Sequence, residues 1–393
     1  MPHIDASSIT HIRVEARRLG FDLMGITSAQ PSRRMPAYRD WLNRGYAGEM
    51  AYLERPDRVE RRADPAKVLP GAQTIICVGM NYHSRPLARH ISDDPARGLI
   101  SSYAWGEDYH TVMAPRLEGL AAFVDTLTGP GAQHRVYVDT GPVLERATAA
   151  DAGLGFIGKN TCLIHPRRGS HLFLGVILTT AALPLSGETM RVSCGTCTRC
   201  LEACPTQAFV APYVLNARRC ISYLTIELKG PIPRDLRPMI GNHIFGCDVC
   251  QSVCPWQRFA RLSRQDSFKV HSVERATPPL MDLISLNEPT FRRQFVDTPL
   301  WHGKRRRLLR NVAVALGNWG DRRAIPLLEG ALHDDEPLIR GHAAWALGQI
   351  GGAGVWGILD SALEQERDDT VREEIWLARS CPPSLSLPGG HNG

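Results

Sequence analysis

The chain has 393 residues, of which 43% are hydrophobic and 22% are charged, and its formal net charge is +6. This composition excludes a disordered chain and predicts two or three globular domains, each able to bury a core. The longest apolar stretch, Leu172 to Leu183, is too short to cross a bilayer, so we expect no membrane partner. The 11 cysteines have the spacing of metal ligands rather than of a secreted disulfide scaffold, which favours a reducing cytoplasm.

The first residues contain a sequence similar to an export signal. Arg17-Arg18-Leu19-Gly20-Phe21 matches the start of a twin-arginine leader. The apolar region that must follow is interrupted by Asp22, Pro31 and the Arg33-Arg34 pair. We therefore interpret the segment as the end of an amphipathic helix that runs from about Ser8 to Arg18.

Residues 1–186 combine β-type apolar runs with helical stretches, a mixture typical of an αβ domain. The predicted strands are Thr74 to Met80, His134 to Asp139 and Leu172 to Leu178, and the predicted helices include Pro115 to Leu127 and Pro142 to Ala152. Pro142 suits a first helical position, so Asp139-Thr140-Gly141 should form the turn before a helix that ends at Gly153. Loops at strand ends often carry chemistry, although aspartate is also common in such turns for structural reasons alone.

Three motifs in this section match known signatures incompletely. Gly153 to Asn160 resembles a dinucleotide fingerprint and a phosphate-binding loop, but both need a strand before and a helix after. Lys159 in this segment remains a candidate contact for a cofactor, or an ordinary surface lysine. Asp139-Thr140-Gly141 is also the aspartic protease tripeptide, but no second copy exists. Asp108-Tyr109-His110 hints at a cobalamin-type signature, but Met113 stands where glycine is needed, so no axial histidine is predicted.

Eight of the cysteines form two blocks within residues 187–268. The first is Cys194-x2-Cys197-x2-Cys200-x3-Cys204-Pro205, and the second is Cys220 followed by Cys247-x2-Cys250-x3-Cys254-Pro255. In the bacterial two-cluster pattern, three close cysteines hold one 4Fe-4S cluster and the cysteine before proline reaches the other. This predicts one cluster on Cys194, Cys197, Cys200 and Cys254, and a second on Cys204, Cys220, Cys247 and Cys250. Two four-cysteine zinc sites are the alternative, and the Cys-Pro endings argue against them.

The last section contains a repeat and a basic cluster. Ala315 to Gly320 (ALGNWG) returns as Ala346 to Gly351 (ALGQIG), which predicts a short HEAT-like solenoid of paired helices over residues 269–380. The basic cluster at its entry consists of Lys304, Arg305, Arg306, Arg307 and Arg310. Such clusters bind phosphate backbones, and a solvated helix face is the alternative. Residues 381–393 are rich in proline and glycine, and we expect them to be disordered.

Taken together, these segments resemble the epoxyqueuosine reductase family over nearly the whole chain. The motifs that carry the resemblance, in family order, are Leu69-Pro70-Gly71-Ala72 with Gly79-Met80-Asn81-Tyr82, Gly106 to His110, Val138 to Pro142, Gly155 to Asn160, the cysteine framework and Cys220 to Thr225. The fold expected is multidomain α+β: an N-terminal αβ domain, a ferredoxin-type domain with two clusters, and C-terminal α-helical HEAT-like repeats. The basic entry to the repeats matches the family only loosely.

The resemblance implies an oxidoreductase that removes the epoxide oxygen of epoxyqueuosine at the tRNA wobble position, the last step of queuosine biosynthesis. It implies cobalamin in the N-terminal domain, reduced to Co(I) by two 4Fe-4S clusters that an external flavodoxin or ferredoxin type donor supplies. Asp139 corresponds to the proton donor, a role that favours a buried carboxyl. The implied cobalamin contacts are Arg62, Asp139, Lys159 and Ser170. The five residues of the basic cluster should contact a tRNA anticodon stem-loop, and we expect a monomer.

Two other functions remain open at this point. A reductive dehalogenase would share the cobalamin domain and both clusters, but such enzymes are typically exported and lack the solenoid. A ferredoxin-like electron carrier would contain the clusters without a corrin or a substrate of its own.

Overall fold

The computed structural model of the chain describes residues 6–129, 131–186, 190–270 and 272–380. The strands are β1 (Leu23–Ser28), β2 (Thr74–Asn81), β3 (Leu99–Ile100), β4 (His134–Tyr137), β5 (Phe156–Ile157), β6 (Leu163–Ile164), β7 (Leu172–Thr179), β8 (Phe209–Ala211), β9 (Val214–Leu215) and β10 (His243–Phe245). The predicted disorder of residues 381–393 lies outside the described residues. Within the described ranges, no helix has the length and apolarity that a membrane span requires.

The helices of the first section are α1 (Ala6–Arg18), α2 (Met35–Asn43), α3 (Ala51–Glu54), α4 (Pro56–Ala63), α5 (Arg89–Ser92), α6 (Tyr109–Thr128) and α7 (Glu145–Asp151). The cysteine-rich section contains α8 (Arg199–Glu202), α9 (Ile221–Ile226), α10 (Arg237–Ile240) and α11 (Val249–Ser252). The last section contains α12 (Val273–Ala276), α13 (Leu280–Ile284), α14 (Glu288–Phe295), α15 (Leu300–Trp319), α16 (Ile325–Ala331), α17 (Pro337–Ile350), α18 (Ala353–Gln365) and α19 (Asp369–Ser380).

The first section is built on a four-stranded sheet in the order β1, β2, β7, β4, and all neighbouring strands are antiparallel. Every residue of β2 is buried, because helices cover both faces of this central strand. Side chains of α1 and α6, such as Ile12 and Leu117, pack on one face, and the alanines of α7 pack on the other. The three predicted strands and the first helix are confirmed.

The loop before α7 differs from the prediction. The helix begins at Glu145 rather than at Pro142, because Leu144 has non-helical dihedrals (φ −84°, ψ 70°). The side chain of Glu145 instead accepts a hydrogen bond from the backbone N–H of Asp139, which folds the loop back over the first turn of the helix. The helix ends before Gly153, which has a φ of 79°, as predicted.

The solenoid follows the sequence repeat, since both copies of the repeated hexapeptide lie at the ends of long helices, α15 and α17. A Cβ atom on Gly317 would lie 2.7 Å from the Trp345 ring, and one on Gly348 would lie 2.9 Å from the backbone of Ala378. The equivalent placement of these two glycines in the repeat therefore reflects the close approach of successive helices.

The cysteine-rich section and the solenoid share one hydrophobic core. Leu224 and Ile244 pack in the same cluster as Leu309 and Val312 of α15. A parallel pairing of β10 with β3, in which His243 lies opposite Leu99, joins this core to the first section. The boundary predicted at residue 268 therefore separates two kinds of secondary structure, but not two separate cores.

Candidate active site and metal centres

The first four-cysteine set lines one cavity. Cys194, Cys197, Cys200 and Cys254 surround a space of about 200 Å³, together with Asn160 and apolar side chains that include Trp256 and Phe259. The cysteine that precedes Pro255 thus lies with the three close cysteines of the other block, as the crossed ligand pattern requires. Burial raises the pKa of the Cys200 thiol to about 11, so the thiolate form needs the positive charge of a bound metal.

The second set, Cys204, Cys220, Cys247 and Cys250, also comes together. Burial is the main cause that raises the pKa of Cys247 to about 12, and the neighbouring Cys220 and Cys204 raise it further. A hydrogen bond with Cys162 and burial raise the pKa of Cys250, and the neighbouring Cys247 and Cys220 raise it further. Four thiols that lie this close together are suited to bind iron, which favours the thiolate form.

Lys159 is bound to the first cysteine block. Its backbone N–H donates to Sγ of Cys194 at 3.4 Å, and its ammonium group donates to the carbonyl oxygens of Gly195 at 2.8 Å and Cys197 at 3.0 Å. The surrounding segment forms a hairpin of β5 and β6 instead of a strand followed by a helix, so neither phosphate-binding motif is present. The cofactor contact predicted for Lys159 stays a prediction, since its ammonium group already holds the cysteine loop.

Asp139 lies in the loop between β4 and α7. Its Oδ2 accepts a hydrogen bond from the Tyr109 hydroxyl at 3.0 Å, and its N–H donates to Oε1 of Glu145 at 2.8 Å. Its φ of 61° is unfavourable for a residue other than glycine, by about 1 kcal/mol or more. The side chain is 67% exposed, so the buried carboxyl expected from the sequence is not observed. A strained aspartate held by two partners and open to solvent is well placed to meet a ligand.

The two partners of Asp139 are themselves partly buried. Burial, and then the negative charge of Asp139, raise the pKa of Glu145 to about 8. The same two causes raise the pKa of the Tyr109 hydroxyl, so it remains a hydrogen-bond donor at neutral pH. Arg58 also reaches this loop, with Nη1 3.4 Å from the carbonyl oxygen of Thr140. The loop is therefore held from three different elements.

Asp108, the N-terminal cap of α6, binds two imidazoles. Its Oδ1 lies 2.8 Å from Nδ1 of His110, and its Oδ2 lies 2.6 Å from Nε2 of His302. Burial would raise the pKa of Asp108, but the hydrogen bonds from both histidines outweigh it and hold the pKa well below the usual range. The ligand atoms of the three residues lie within 4.8 Å of one another, a spacing that also suits a metal ion.

Arg62 and Ser170, the other predicted cofactor contacts, have different surroundings. Arg62 lines a cleft with Pro142, Val143 and Leu144 of the Asp139 loop. Its Nη1 is buried and has no hydrogen-bond partner in the described part of the chain, which fits a site for a ligand with acceptor groups. Ser170 is buried, and its hydroxyl donates to Oε1 of Gln251 at 2.9 Å. Its role as a cofactor contact stays a prediction.

The prediction that Arg310 contacts tRNA is wrong. Its side chain is fully buried, and its guanidinium donates to the carbonyl oxygens of Leu224, Leu228 and Gly230. Arg305 is also engaged, in an ion pair with Asp334 and a hydrogen bond to the carbonyl oxygen of Leu286. A helical pattern of charge does not reveal these acceptors, because they lie on other segments of the chain.

The other three basic residues remain nearer the surface. Lys304 and Arg306 are exposed, and Arg307 is partly buried. Lys304 has a φ of 61°, which marks a kink inside α15. Arg307 donates to the carbonyl oxygens of His302 and Gly303 at 2.6 Å each, so it caps the short helical turn before this kink. Lys304 and Arg306 are the members of the basic cluster that a phosphate can reach directly.

Comparisons with known proteins agree with this architecture. Residues 62–140 match the family model described as Epoxyqueuosine reductase QueG, DUF1730, residues 193–257 match a 4Fe-4S double cluster binding domain, and residues 302–378 match HEAT repeats. An epoxyqueuosine reductase from Xanthomonas campestris pv. campestris is 42% identical over 344 residues, which cover 86% of this chain and 95% of the relative. One from Escherichia coli is 39% identical over 340 residues, covering 84% and 86%. The chain belongs to the epoxyqueuosine reductase family.

Solved structures of epoxyqueuosine reductases have the same fold. One, described as a complex with a tRNA-Tyr epoxyqueuosine-modified stem loop, has a TM-score of 0.86 and 33% identity, and the match covers 95% of this chain and 98% of that one. The enzyme from Streptococcus thermophilus has a TM-score of 0.82 and 30% identity, with coverage of 94% and 98%. The predicted α+β fold, the two-cluster segment and the reductase activity of the family are thereby confirmed.

Within this epoxyqueuosine reductase fold, the sequence did not reveal three residues near the site. They are Glu145, which lies six residues after its partner Asp139, and His302 and Cys162, which lie far in sequence from the residues that they contact. A hydrogen bond from Cys250 lowers the pKa of Cys162, so this further thiol lies beside the second cysteine set.

Proposed function

We propose that this chain reduces the epoxide of epoxyqueuosine in the anticodon loop of tRNA to the alkene of queuosine. The observation that carries the proposal is the position of Asp139, whose backbone is strained and whose accessible side chain is held in a loop fixed by Tyr109 and Glu145. The same chain also assembles two four-cysteine sets. Family membership supports the same reaction, and a solved relative is described in complex with an epoxyqueuosine-modified stem loop.

The cofactor that the family resemblance implies is cobalamin, and part of the site fits it. Nη1 of Arg62 is buried beside the Asp139 loop and has no hydrogen-bond partner among the described residues, so it offers a donor to an amide or phosphate of a large ligand. Bound cobalamin would supply a cobalt centre that becomes a strong nucleophile when reduced. Arg62 and Asp139 are the residues that would contact it, while Lys159 and Ser170 need to exchange their present partners to do so.

Asp139 is proposed as the acid that protonates the leaving oxygen. The overall reaction takes two electrons and two protons and yields the alkene and water, so the oxygen must be protonated as its carbon–oxygen bonds break. Tyr109 orients Oδ2, and Glu145 fixes the backbone of the loop, so the carboxyl group points outward toward a substrate. A solved relative from Bacillus subtilis is described with its catalytic aspartate loop swung out of the active site. The Asp139 loop, attached by a few hydrogen bonds, is suited to a similar movement.

The two cysteine sets are proposed to deliver the electrons. Ferredoxin-type 4Fe-4S clusters have reduction potentials of about −400 mV, low enough to accept electrons from a flavodoxin or ferredoxin type donor and pass them inward. Trp256 and Phe259 shield the first cavity, and N–H groups such as that of Lys159 bond to the sulfurs, both of which adjust a cluster's potential.

We place the enzyme in the cytoplasm as a monomer.

The solenoid entry is proposed to hold the tRNA backbone. Lys304 and Arg306 are exposed there, and Trp301 lies between two cations, 5.1 Å from Nζ of Lys304 and 6.0 Å from the guanidinium of Arg292. Phosphate contacts of this kind fix position without reading bases. The modified base has to leave its stack to reach a buried cofactor, which requires a firm grip on the flanking backbone.

The experiment is a conversion assay with protein reconstituted anaerobically with iron, sulfide and cobalamin. Epoxyqueuosine-containing tRNA is supplied with a chemical reductant, and its nucleosides are analysed by mass spectrometry. We expect queuosine to form with the wild type and not when cobalamin is omitted. A protein that holds both clusters but binds no corrin and forms no queuosine would be an electron carrier instead.

A further inference from the structure

The cavity of the first cysteine set reaches the surface of the protein. Besides the cysteines, it is lined by Ser193, Arg258 and Phe259, and all three of these residues are exposed. The Phe259 ring also packs beside that of Trp256, with 6.1 Å between the two centroids. A cluster bound in this cavity therefore lies close to exposed side chains, where a partner protein can approach it.

The second cysteine set is connected to the candidate acid by a short series of contacts. Asp248, the residue after Cys247, accepts hydrogen bonds from the two serines that precede Tyr103. The Tyr103 ring lies 6.3 Å, between centroids, from the ring of Tyr109, and the Tyr109 hydroxyl donates to Asp139. The second set therefore lies on the side of the candidate active site, whereas the first set offers a point of entry for electrons from outside.

The segments that border the first cavity are basic. Residues 191–200 and 254–262 contain four arginines, all of them exposed, and no acidic residue. The arginines are Arg191, Arg199, Arg258 and Arg261. Within the described ranges, none of the four forms an ion pair, and the guanidinium of Arg258 lies 4.6 Å from the centroid of the Phe259 ring. Positive charge that is exposed and unpaired attracts a partner with negative charge.

The same two segments also expose apolar side chains. Val192 is 37% exposed, Phe259 is 43% exposed and Leu262 is 47% exposed. Interfaces between proteins combine apolar and aromatic contacts with arginine, whereas surfaces that bind nucleic acids are more polar and more strongly basic. This composition favours a protein partner over tRNA. The entry surface is defined here as Arg191, Val192, Arg199, Arg258, Phe259 and Arg261.

We propose that the entry surface docks an acidic flavoprotein of the flavodoxin type, which delivers electrons to the first cysteine set. This inference rests on the proposed function, which requires an external reductant. The exposed Phe259 and Val192 fit the apolar edge of a flavin, and the four arginines fit the carboxylates of an acidic carrier. Complexes of this kind are small and transient, so electrostatic attraction rather than buried area sets the rate at which they form.

Electron transfer at this surface forms and breaks no bond to the protein. In each encounter the reduced flavin of the donor loses one electron, and a cluster held by the first cysteine set gains it. Two encounters supply the two electrons that removal of the epoxide oxygen consumes, and the two protons come from water. The arginines hold the donor and keep their charge throughout, since guanidinium groups stay protonated at neutral pH.

The test measures how fast flavodoxin reduces the clusters. Protein reconstituted anaerobically with iron and sulfide is mixed with reduced flavodoxin at low ionic strength, and the cluster absorbance is followed by stopped flow. In Arg258→Glu the second-order rate constant should fall by about tenfold, because the reversed charge repels the donor. The difference should largely disappear at about 1 M salt, where charges are screened within about 3 Å. Reduction by photoreduced deazariboflavin, a small uncharged reductant, should be unchanged.

Two further variants complete the test. Arg261 is exposed and is not among the described residues that line the cavity, so Arg261→Glu tests the surface even if Arg258→Glu disturbs the cluster. It should show a similar loss of rate with flavodoxin. Arg367→Glu, at an exposed arginine of the solenoid, is the control and should be reduced at the wild-type rate. The iron content of each variant is measured alongside.

Wild-type kinetics in both Arg258→Glu and Arg261→Glu would overturn the proposal, and so would a wild type that flavodoxin does not reduce. Faster reduction by an acidic ferredoxin, with the same dependence on Arg258, would replace the flavoprotein by an iron-sulfur carrier. Weaker tRNA binding in these variants with normal reduction would assign the surface to tRNA. If the wild type loaded with cobalamin converts no epoxyqueuosine with any reductant, the proposed function fails, whereas the rates of cluster reduction still test the entry surface.

Discussion

Cys254 and Cys194 line the same cavity, although all the other cluster cysteines lie between them in the sequence. The chain reaches this arrangement because α8 and α11, the short helices that contain Cys200 and Cys250, pack together. The cysteine before each proline is then carried across to the neighbouring block. The assignment of each cysteine to one of the two clusters can therefore be tested by single substitutions.

Cys254→Ala should remove the cluster bound by Cys194, Cys197 and Cys200 and leave the second one intact. Iron content should fall from about eight to about four atoms per chain, since each cubane holds four irons. Electron paramagnetic resonance of the reduced protein measures which cluster remains. Cys77→Ala, in the buried strand β2, is the control and should keep both clusters. If Cys254→Ala instead lost the cluster bound by Cys247 and Cys250, Cys254 would be a ligand of that second cluster.

Asp139→Asn should keep both clusters and bind cobalamin, but its turnover should fall by about 10²- to 10⁴-fold, the usual contribution of a general acid. The amide still accepts the Tyr109 hydrogen bond at Oδ1, so the loop keeps its shape. Single-turnover conversion of epoxyqueuosine tRNA gives the rate. Near wild-type turnover would assign the proton to another group.

The basic cluster can be divided by exposure. Lys304→Gln with Arg306→Gln should weaken tRNA binding and reduce the slope of log affinity against log salt by roughly 0.7 to 0.9 for each phosphate that the protein no longer neutralises. Filter binding over a salt series measures both quantities. Arg305→Gln is the matched control, because the Arg305 side chain is 15% exposed and paired with Asp334, whereas the Arg306 side chain is 45% exposed. Equal salt slopes for the wild type, the double variant and Arg305→Gln would place the tRNA on another surface.

Arg310→Met should affect stability rather than tRNA binding. The substitution leaves the carbonyl oxygens of Leu224, Leu228 and Gly230 without their donor, at a cost of about 3 kcal/mol or more. Urea unfolding should show this loss in the free energy of unfolding. A folded variant with normal stability but weaker tRNA binding would contradict the buried role.

Glu145 should make the stability of the protein depend on pH. Its pKa is raised to about 8 in the folded state, so the folded protein holds this proton more tightly than the unfolded chain. The resulting stabilisation is complete below the unfolded pKa of about 4.5 and is lost as pH rises through about 8. Glu145→Gln should remove this dependence and stabilise the protein at pH 8.5 by on the order of 2 kcal/mol. Thermal unfolding from pH 5 to 8.5 measures the difference, and parallel curves for both proteins would refute it.

The sequence alone identified the features that depend on local chemistry. These features are the cysteine blocks, the strand Thr74–Asn81 and the glycine-containing repeat of the solenoid. Each can be recognised from neighbouring residues, by cysteine spacing, by a run of apolar residues and by a repeated hexapeptide. The family motifs around Asp139 could be recognised for the same reason.

Tertiary structure decided which charged groups remain available. Arg310 and Arg306 have equal charge and lie one helical turn apart, yet Arg310 is buried among carbonyl oxygens of a distant segment while Arg306 is exposed. The contact of His302 with Asp108 likewise joins the solenoid to the N-terminal cap of α6 in the sheet domain. Desolvation and pairing depend on neighbours that are remote in sequence, so no local pattern determines them.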